Sequence, residues 1–170
     1  MNKSNFSHIH GRESGSISVI TALTMIAMIF FVGLAIDLSM VLLDKSELDG
    51  LCQVVCEDRY VHDDLVRFAD GPAQATVSYV STALASNGFS GNLEVAFDES
   101  HRTRDKRVID VDVTIKRESP LYFLKIFGAS SFTISSTVSY EDVYGEGGDD
   151  VVWAPSASTS TYNGTYRSVI

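Results

Sequence analysis

Residues 14–36 read SGSISVITALTMIAMIFFVGLAI, a run with no charged residue, bracketed by Glu13 and Asp37. As a helix it rises roughly 35 Å at ~1.5 Å per residue, enough to cross a hydrocarbon core of ~30 Å. The residues before it are few and polar, and those after it read as a small water-soluble domain. The run therefore sets the layout: a single membrane anchor with the working part on one side. A cleaved secretory signal has a shorter apolar region, ~7–15 residues, and a small-residue cleavage site. Here the chain continues as DLSMVLL over residues 37–43, so a retained anchor is expected. Lys3 and Arg12 precede the span, and Lys45 is the one basic residue between Asp37 and Cys56. That bias places the N-terminus in the cytoplasm and the domain outside, in a periplasm if the source has two membranes.

The helix need not stop at the membrane edge. No proline follows Asp37 in the next thirty or so residues. Leu48, Leu51, Cys52, Val55 and Cys56 recur at i, i+3, i+4, i+7 and i+8, one apolar face of a helix. Asp44, Lys45, Glu47, Asp49, Gln53, Glu57 and Asp58 fall largely on the other side. One helix from about Ser16 to Tyr60 is expected, with Gly50 weakening it by roughly 1 kcal/mol relative to Ala.

Asp70-Gly71-Pro72 then reads as a helix start with Asp70 as the capping acid. Ala73, Val77, Val80 and Leu84 repeat at helical spacing, and Asn87-Gly88 closes the helix as a left-handed cap would. Three alternating segments follow. Leu93, Val95 and Phe97 oppose Glu94 and Asp98; Ile109, Val111, Val113 and Ile115 oppose Asp110, Asp112, Thr114 and Lys116. Phe132, Ile134, Val138 and Tyr140 oppose Thr133, Ser135, Thr137 and Ser139. Each is a half-buried strand. The charged loop ESHRTRDK makes a hairpin of the first two, and SPLYFLKIFGAS, between the second and third, suggests a short helix. The expected fold is α+β: a long N-terminal transmembrane helix running into a small domain of a second helix and a three-stranded antiparallel sheet. Residues 1–13 are then a cytoplasmic tail, 14–40 the anchor, 41–141 the periplasmic α+β domain and 142–170 an extended or partly disordered tail. Val151-Val152-Trp153 in that tail is a candidate docking segment.

Composition narrows the function. The net charge of −9 over 170 residues argues against nucleic acid, whose phosphates need clustered Lys and Arg, and against a domain lying flat on anionic lipid. No G-x-S-x-G, Walker A, G-x-G-x-x-G or H-E-x-x-H pattern occurs, so no enzymatic activity and no cofactor or metal is expected. The residue types that do carry chemistry have blander readings. His8 and His10 belong to a solvated tail, and His62-Asp63-Asp64 is a solvated acidic cluster at a helix end. Asp110 and Asp112 are the wet face of a strand, and His101 with Arg102, Arg104 and Lys106 forms a basic turn in water. Cys52 and Cys56 share a helical face and read as small packing residues, since that geometry rarely suits a disulfide. Asn163-Gly164-Thr165 is a glycosylation sequon of a kind that recurs by chance. Within the span, Ser16, Ser18, Thr21, Thr24 and Gly33 are small or hydroxyl residues. They either let membrane helices approach closely or bond their own i−4 carbonyls.

The stretch GSISVITALTMIAMIFFVGLAIDLSMVLLDKSELDGLCQVV resembles the N-terminus of TadE/TadG-like proteins of the tight-adherence, or Flp, pilus system. The shared pattern is a Gly, a Val/Ile-rich span ending in Gly-x-Ala-x-Asp, then a basic residue and a Leu; Gly15, Gly33, Ala35, Asp37, Lys45 and Leu48 occupy those places. SPLYFLKIFGASSFTISSTVSYE is similar to a later motif of that family, an aromatic-rich turn and Phe-Gly before a Ser/Thr/Val strand. The chain departs from the pattern where the family runs to alanines, because Cys52, Val54, Val55 and Cys56 are bulkier. It also lacks the Asp-x-Ser-x-Ser metal motif of the longer members. Cleavage after Gly15 would put Ile20 where pilins carry the Glu that they use to polymerise.

The resemblance implies a pilin-like layout and a non-catalytic component of tight-adherence pilus assembly, minor-pilin-like or an inner-membrane accessory subunit. Its implied partners are other pilus subunits, inner-membrane assembly proteins and the lipid bilayer, with homo- or hetero-oligomers among the possibilities. The residues expected at interfaces are Gly15, Ser18, Thr21, Gly33 and Asp37 in the membrane helix. Leu48, Leu51 and Val55 join them if the outer helix packs on a partner rather than on its own sheet. A membrane-tethered periplasmic binding or sensor domain is the alternative.

Overall fold

The computed structural model describes residues 10–102, 106–145 and 163–170, with side chains from Ser16 onward except that of His101. The expectations for His8, His10, Gly15's surroundings, Arg104 and Val151–Trp153 lie outside what is described.

One helix, α1 (His10–Asp58), runs without a break through the apolar span and into the domain. Its length of 49 residues corresponds to roughly 70 Å. Gly50 does not interrupt it, and a Cβ there would meet nothing within 4 Å. Large apolar side chains of the span are open on the surface, Ile17, Leu23, Ile26 and Phe31 among them at 65% or more. Such a surface has no place in water. This is the one helix among the described residues that is long and apolar enough to cross a membrane.

A short helix, α2 (Asp63–Arg67), and a longer one, α3 (Pro72–Ser86), follow. Sequence periodicity had no purchase on α2, which is barely more than one turn. In α3 the residue at the cap is Gly71 rather than Asp70, and Pro72 opens the first turn with no side-chain cap bond. Gly88, at φ 76°, supplies the left-handed exit that an L-residue resists.

The strands are β1 (Asn92–Arg102), β2 (Arg107–Pro120), β3 (Ser131–Tyr144) and β4 (Asn163–Val169). They form one antiparallel sheet in the order β3-β2-β1-β4. The described residues thus contain four strands where alternation suggested three. The extra strand comes from the segment read as a tail. Asn163–Val169 pairs with Asp98–Asn92 through its backbone while nearly all its residues stay exposed. Only Tyr166 and the following Ile170 lean on the core. The candidate sequon lies in this strand. Ionic contacts add to the pairing: Arg167 reaches Glu94 at 3.1 Å and Lys116 reaches it at 3.4 Å. Those two cations hold the Glu94 carboxyl below its ordinary range. Deleting residues 163–170 is expected to leave the domain folded but to bare the edge of β1, a template for strand pairing. Size-exclusion chromatography of the detergent-solubilised chain checks this; a shift to larger species is the expected result.

One face of the sheet meets α1 and α3. Leu48, Leu51, Cys52 and Val55 interlock with Val80 and Leu84 and with the inward rows Leu93/Val95/Phe97 and Ile109/Val111/Val113/Ile115. Ile134 and Tyr140 join from β3, but Phe132, expected on the same face, is 56% exposed. The hydroxyls of Tyr79 and Tyr140 are hydrogen-bonded to each other inside this core. Burial raises both pKa values, that of Tyr79 to about 12.

The hairpin between β1 and β2 differs from a solvated basic turn. Glu99, Arg102 and Arg107 are all buried. Arg107 Nε donates to Glu99 Oε1 at 2.7 Å, and its Nη1 donates to the carbonyls of Val66, Arg67 and Ala69 at 3.3, 2.8 and 3.2 Å. The ladder shifts between Glu99 and His101, a bulge that tightens the twist at this end.

Candidate functional site: the joint between span and domain

The buried stripe on α1 begins earlier than the soluble domain does. Gly33, Asp37, Leu48, Leu51, Cys52 and Val55 are buried, with Val41, Asp44 and Lys45 half-buried between them. These positions fall three or four apart, so they follow one face of the helix. The stripe therefore crosses from the C-terminal part of the apolar span into the core, and the sheet's end lies against it.

The upper part of the stripe receives the link between β2 and β3. That link turns through a 3₁₀ helix, Leu124–Phe127, and leaves it at Gly128, φ 92°. Its first backbone N–H groups point at the Asp37 carboxylate. Tyr122 N donates to Oδ1 at 2.9 Å, Phe123 N to Oδ2 at 3.0 Å and Leu124 N to Oδ2 at 2.7 Å. The carboxylate is wholly buried and acts as an N-terminal cap delivered from 85 residues away in the chain.

One turn along α1, Gly33 makes the approach possible. A Cβ on Gly33 would lie 2.4 Å from Cδ1 and 3.0 Å from Cβ of Phe123. The clash reaches the root of that side chain, so rotating the ring does not relieve it. Further into the span, Phe30 meets Phe127 edge to face, centroids 5.4 Å apart. An apolar cavity of about 200 Å³ lies between Ile26, Ile29, Phe30 and the turn residues Phe123, Ile126 and Phe127. Gly33→Ala is expected to cost ~1–3 kcal/mol by overpacking. Faster hydrogen exchange at 121–129 than in the wild-type chain is the measurement that checks it.

Below Asp37, acids expected on the wet side of α1 are instead engaged by the sheet. Ser119 Oγ donates to Asp44 Oδ2 at 2.6 Å. Arg117 pairs with Glu47 at 3.0 Å and with Asp44 at 3.7 Å, and the Arg117 hydrogen bond holds the Glu47 carboxyl below its usual range. Ser136 donates to Asp49, which also pairs with Lys45. The joint is thus fastened by one buried carboxylate, one close glycine contact and a polar row.

The other sequence-selected residues are placed as follows. Ser18 is exposed, and Thr21 is exposed with its hydroxyl bonded to the Ile17 carbonyl at 2.9 Å. Thr24 bonds Ile20 in the same way at 2.8 Å. Leu48, Leu51 and Val55 pack on this chain's own sheet. Cys52 and Cys56 are both free, and burial raises the Cys52 thiol pKa. His62 stacks on Tyr79, rings nearly parallel at 5.6 Å, with Nδ1 3.2 Å from Asp58. Asp110 and Asp112 lie on the exposed face of β2. Among the described residues no three His, Cys, Asp or Glu side chains gather as a metal site would require.

These features define a class: an α+β domain clamped onto the C-terminal end of an apolar helix long enough to cross a membrane. Within it, residues 15–54 match the Tad family, described as "Putative Flp pilus-assembly TadE/G-like". The matched segment holds Gly33, Asp37 and the core residues Leu48 and Leu51, and it supports a pilus-assembly component. No curated protein and no solved structure matches the chain.

Proposed function

We propose that the chain is a non-catalytic component of a tight-adherence (Tad/Flp) pilus assembly system, a minor-pilin-like or inner-membrane accessory subunit. It acts through helix contacts in the membrane and domain contacts in the periplasm, with its N-terminus in the cytoplasm. The observation that carries this reading is the division of α1 within the family-matched segment. Gly33 and Asp37, part of the motif that carries the resemblance, fasten the domain to the helix. That leaves the opposite end of the span, with Gly15, Ser18 and Thr21, as the surface for other transmembrane subunits. A domain held rigidly on its anchor transmits position from the membrane to periplasmic partners, which is what an assembly subunit needs. Ile20 at the place of the pilin glutamate favours an accessory over a polymerising subunit.

Purification of the tagged full chain from detergent-solubilised membranes tests the reading. Pilus-system components are expected to co-purify, and Ser18→Leu with Thr21→Leu is expected to weaken their recovery without unfolding the domain. If nothing from the pilus system co-purifies and deletion leaves pili intact, the reading fails.

A further inference from the structure

We infer that the turn 121–129 enters the outer leaflet of the bilayer beside α1, so that the protein holds the membrane by a helix and a wedge together. This rests on the reading of α1 as a membrane span, and not on the pilus role.

The turn's outward surface is apolar and unpartnered: Ile126 is 80% exposed, Phe127 68% and Tyr122 60%. Its occupant follows from where it sits. Phe127 contacts Phe30, seven residues before Asp37 and thus roughly 10 Å further into the span along the helix. Its surface is continuous with Ile26 and Ile29, at 67% and 66% exposure, which face lipid if the helix crosses the bilayer. A tip at that depth shares the span's surroundings.

The backbone is prepared for such surroundings. Non-helical backbone at membrane depth must satisfy its polar groups inside the protein. Here the N–H groups of Tyr122, Phe123 and Leu124 are taken by Asp37. Those of Leu121, Ile126, Gly128 and Ala129 are taken by the carbonyls of Ser130, Phe123, Lys125 and Leu124. Asp37 in turn obeys the rule for an acid near the bilayer, buried and fully engaged. Tyr122 and Lys125 are residues that suit the headgroup level, where a ring and a flexible ammonium each keep a polar end in water.

Tryptophan emission in the full chain, reconstituted in phosphatidylcholine vesicles with or without brominated acyl chains, tests this. The native Trp153 is first replaced by Phe. Phe127→Trp and, separately, Ile126→Trp then report on the turn, and Met28→Trp reports on the span. The expected result is blue-shifted emission from the turn reporters, quenched by brominated lipid and indifferent to aqueous iodide, as for the span reporter. Iodide quenching of both turn reporters while the span reporter responds to bromine would place the turn in water and overturn the inference. Protection from both quenchers would mean a protein covers the turn, which also overturns it. If the span reporter itself escapes bromine, the anchor reading falls and the wedge falls with it, whatever the pull-down shows.

Discussion

Asp37→Ala is expected to release the turn 121–129 from α1 while the core of the domain stays folded. The substitution removes the acceptor of the Tyr122, Phe123 and Leu124 N–H groups, in a place with no solvent access. A buried donor left without a partner costs ~1–3 kcal/mol. Three of them make the docked turn untenable by about 3 kcal/mol or more, so the turn leaves the helix rather than remain docked with the bonds unmade. Backbone amides at 121–129 are then expected to exchange roughly a hundred-fold faster in bilayer-embedded protein, since ~1.4 kcal/mol corresponds to a factor of ten. Amides of β1 and β2 should keep their protection. Asp37→Asn retains one acceptor oxygen but turns an NH₂ donor toward the remaining N–H groups, so it should recover only part of the protection. Unchanged exchange in Asp37→Ala would mean the carboxylate does not hold the turn. If the docked turn is what fixes the domain's attitude, the same variant should also lower recovery of pilus partners.

What the sequence reveals and what it hides differ by the kind of interaction. The long helix, α3 and the inward rows of β1 and β2 were readable because burial imposes periods of 3.6 and 2 on apolar residues. Asp37 was readable as the end of the span and as part of a motif, but its partner is the backbone of a distant turn, and backbone donors leave no mark in side-chain pattern. Gly33 was visible as a small residue, a property shared by a helix–helix contact and by the close approach of Phe123. Strand β4 escaped because an edge strand held by backbone pairing needs no apolar face, and NGTYRSV has none. The turn did carry a signal: Tyr122, Phe123, Ile126 and Phe127 are too apolar for an exposed connection between strands. The buried charges carried one too. Glu99 continues the inward row of Leu93, Val95 and Phe97, and Arg107 precedes that of Ile109 and Val111 by the same step of two. Extending each alternation by one position would have placed both side chains inside, opposite in charge, at the same end of the sheet.

That pair should be the most sensitive point of the domain itself. Arg107 and Glu99 have no exposed side-chain surface, and Arg107 also caps the carbonyls at and beyond the end of α2. It therefore ties the connection between α2 and α3 to the sheet. Burial pulls the Arg107 pKa down, and its hydrogen bond to the Glu99 carboxylate opposes that fall. Removing one member of a buried ion pair typically costs ~3–5 kcal/mol, because the surviving charge has given up its water. Glu99→Ala is expected to lose about that much in denaturant unfolding of the detergent-solubilised chain, enough to threaten a small domain whose whole stability is ~5–15 kcal/mol. Arg107→Met should cost a similar amount, because it takes from Glu99 the nearer of its cations, leaving Arg102 at 3.5 Å, and strips the donor from the carbonyls of Val66, Arg67 and Ala69. The double variant Glu99→Leu with Arg107→Met removes both charges of the pair and leaves Arg102, which Glu99 also bridges at 3.5 Å, as the remaining buried cation. Its loss should still be smaller than the sum of the two single losses by about 1 kcal/mol or more, as for coupled neighbours. Additive losses would mean the two side chains are stabilised separately, and that the connection between α2 and α3 hangs on Arg107 alone.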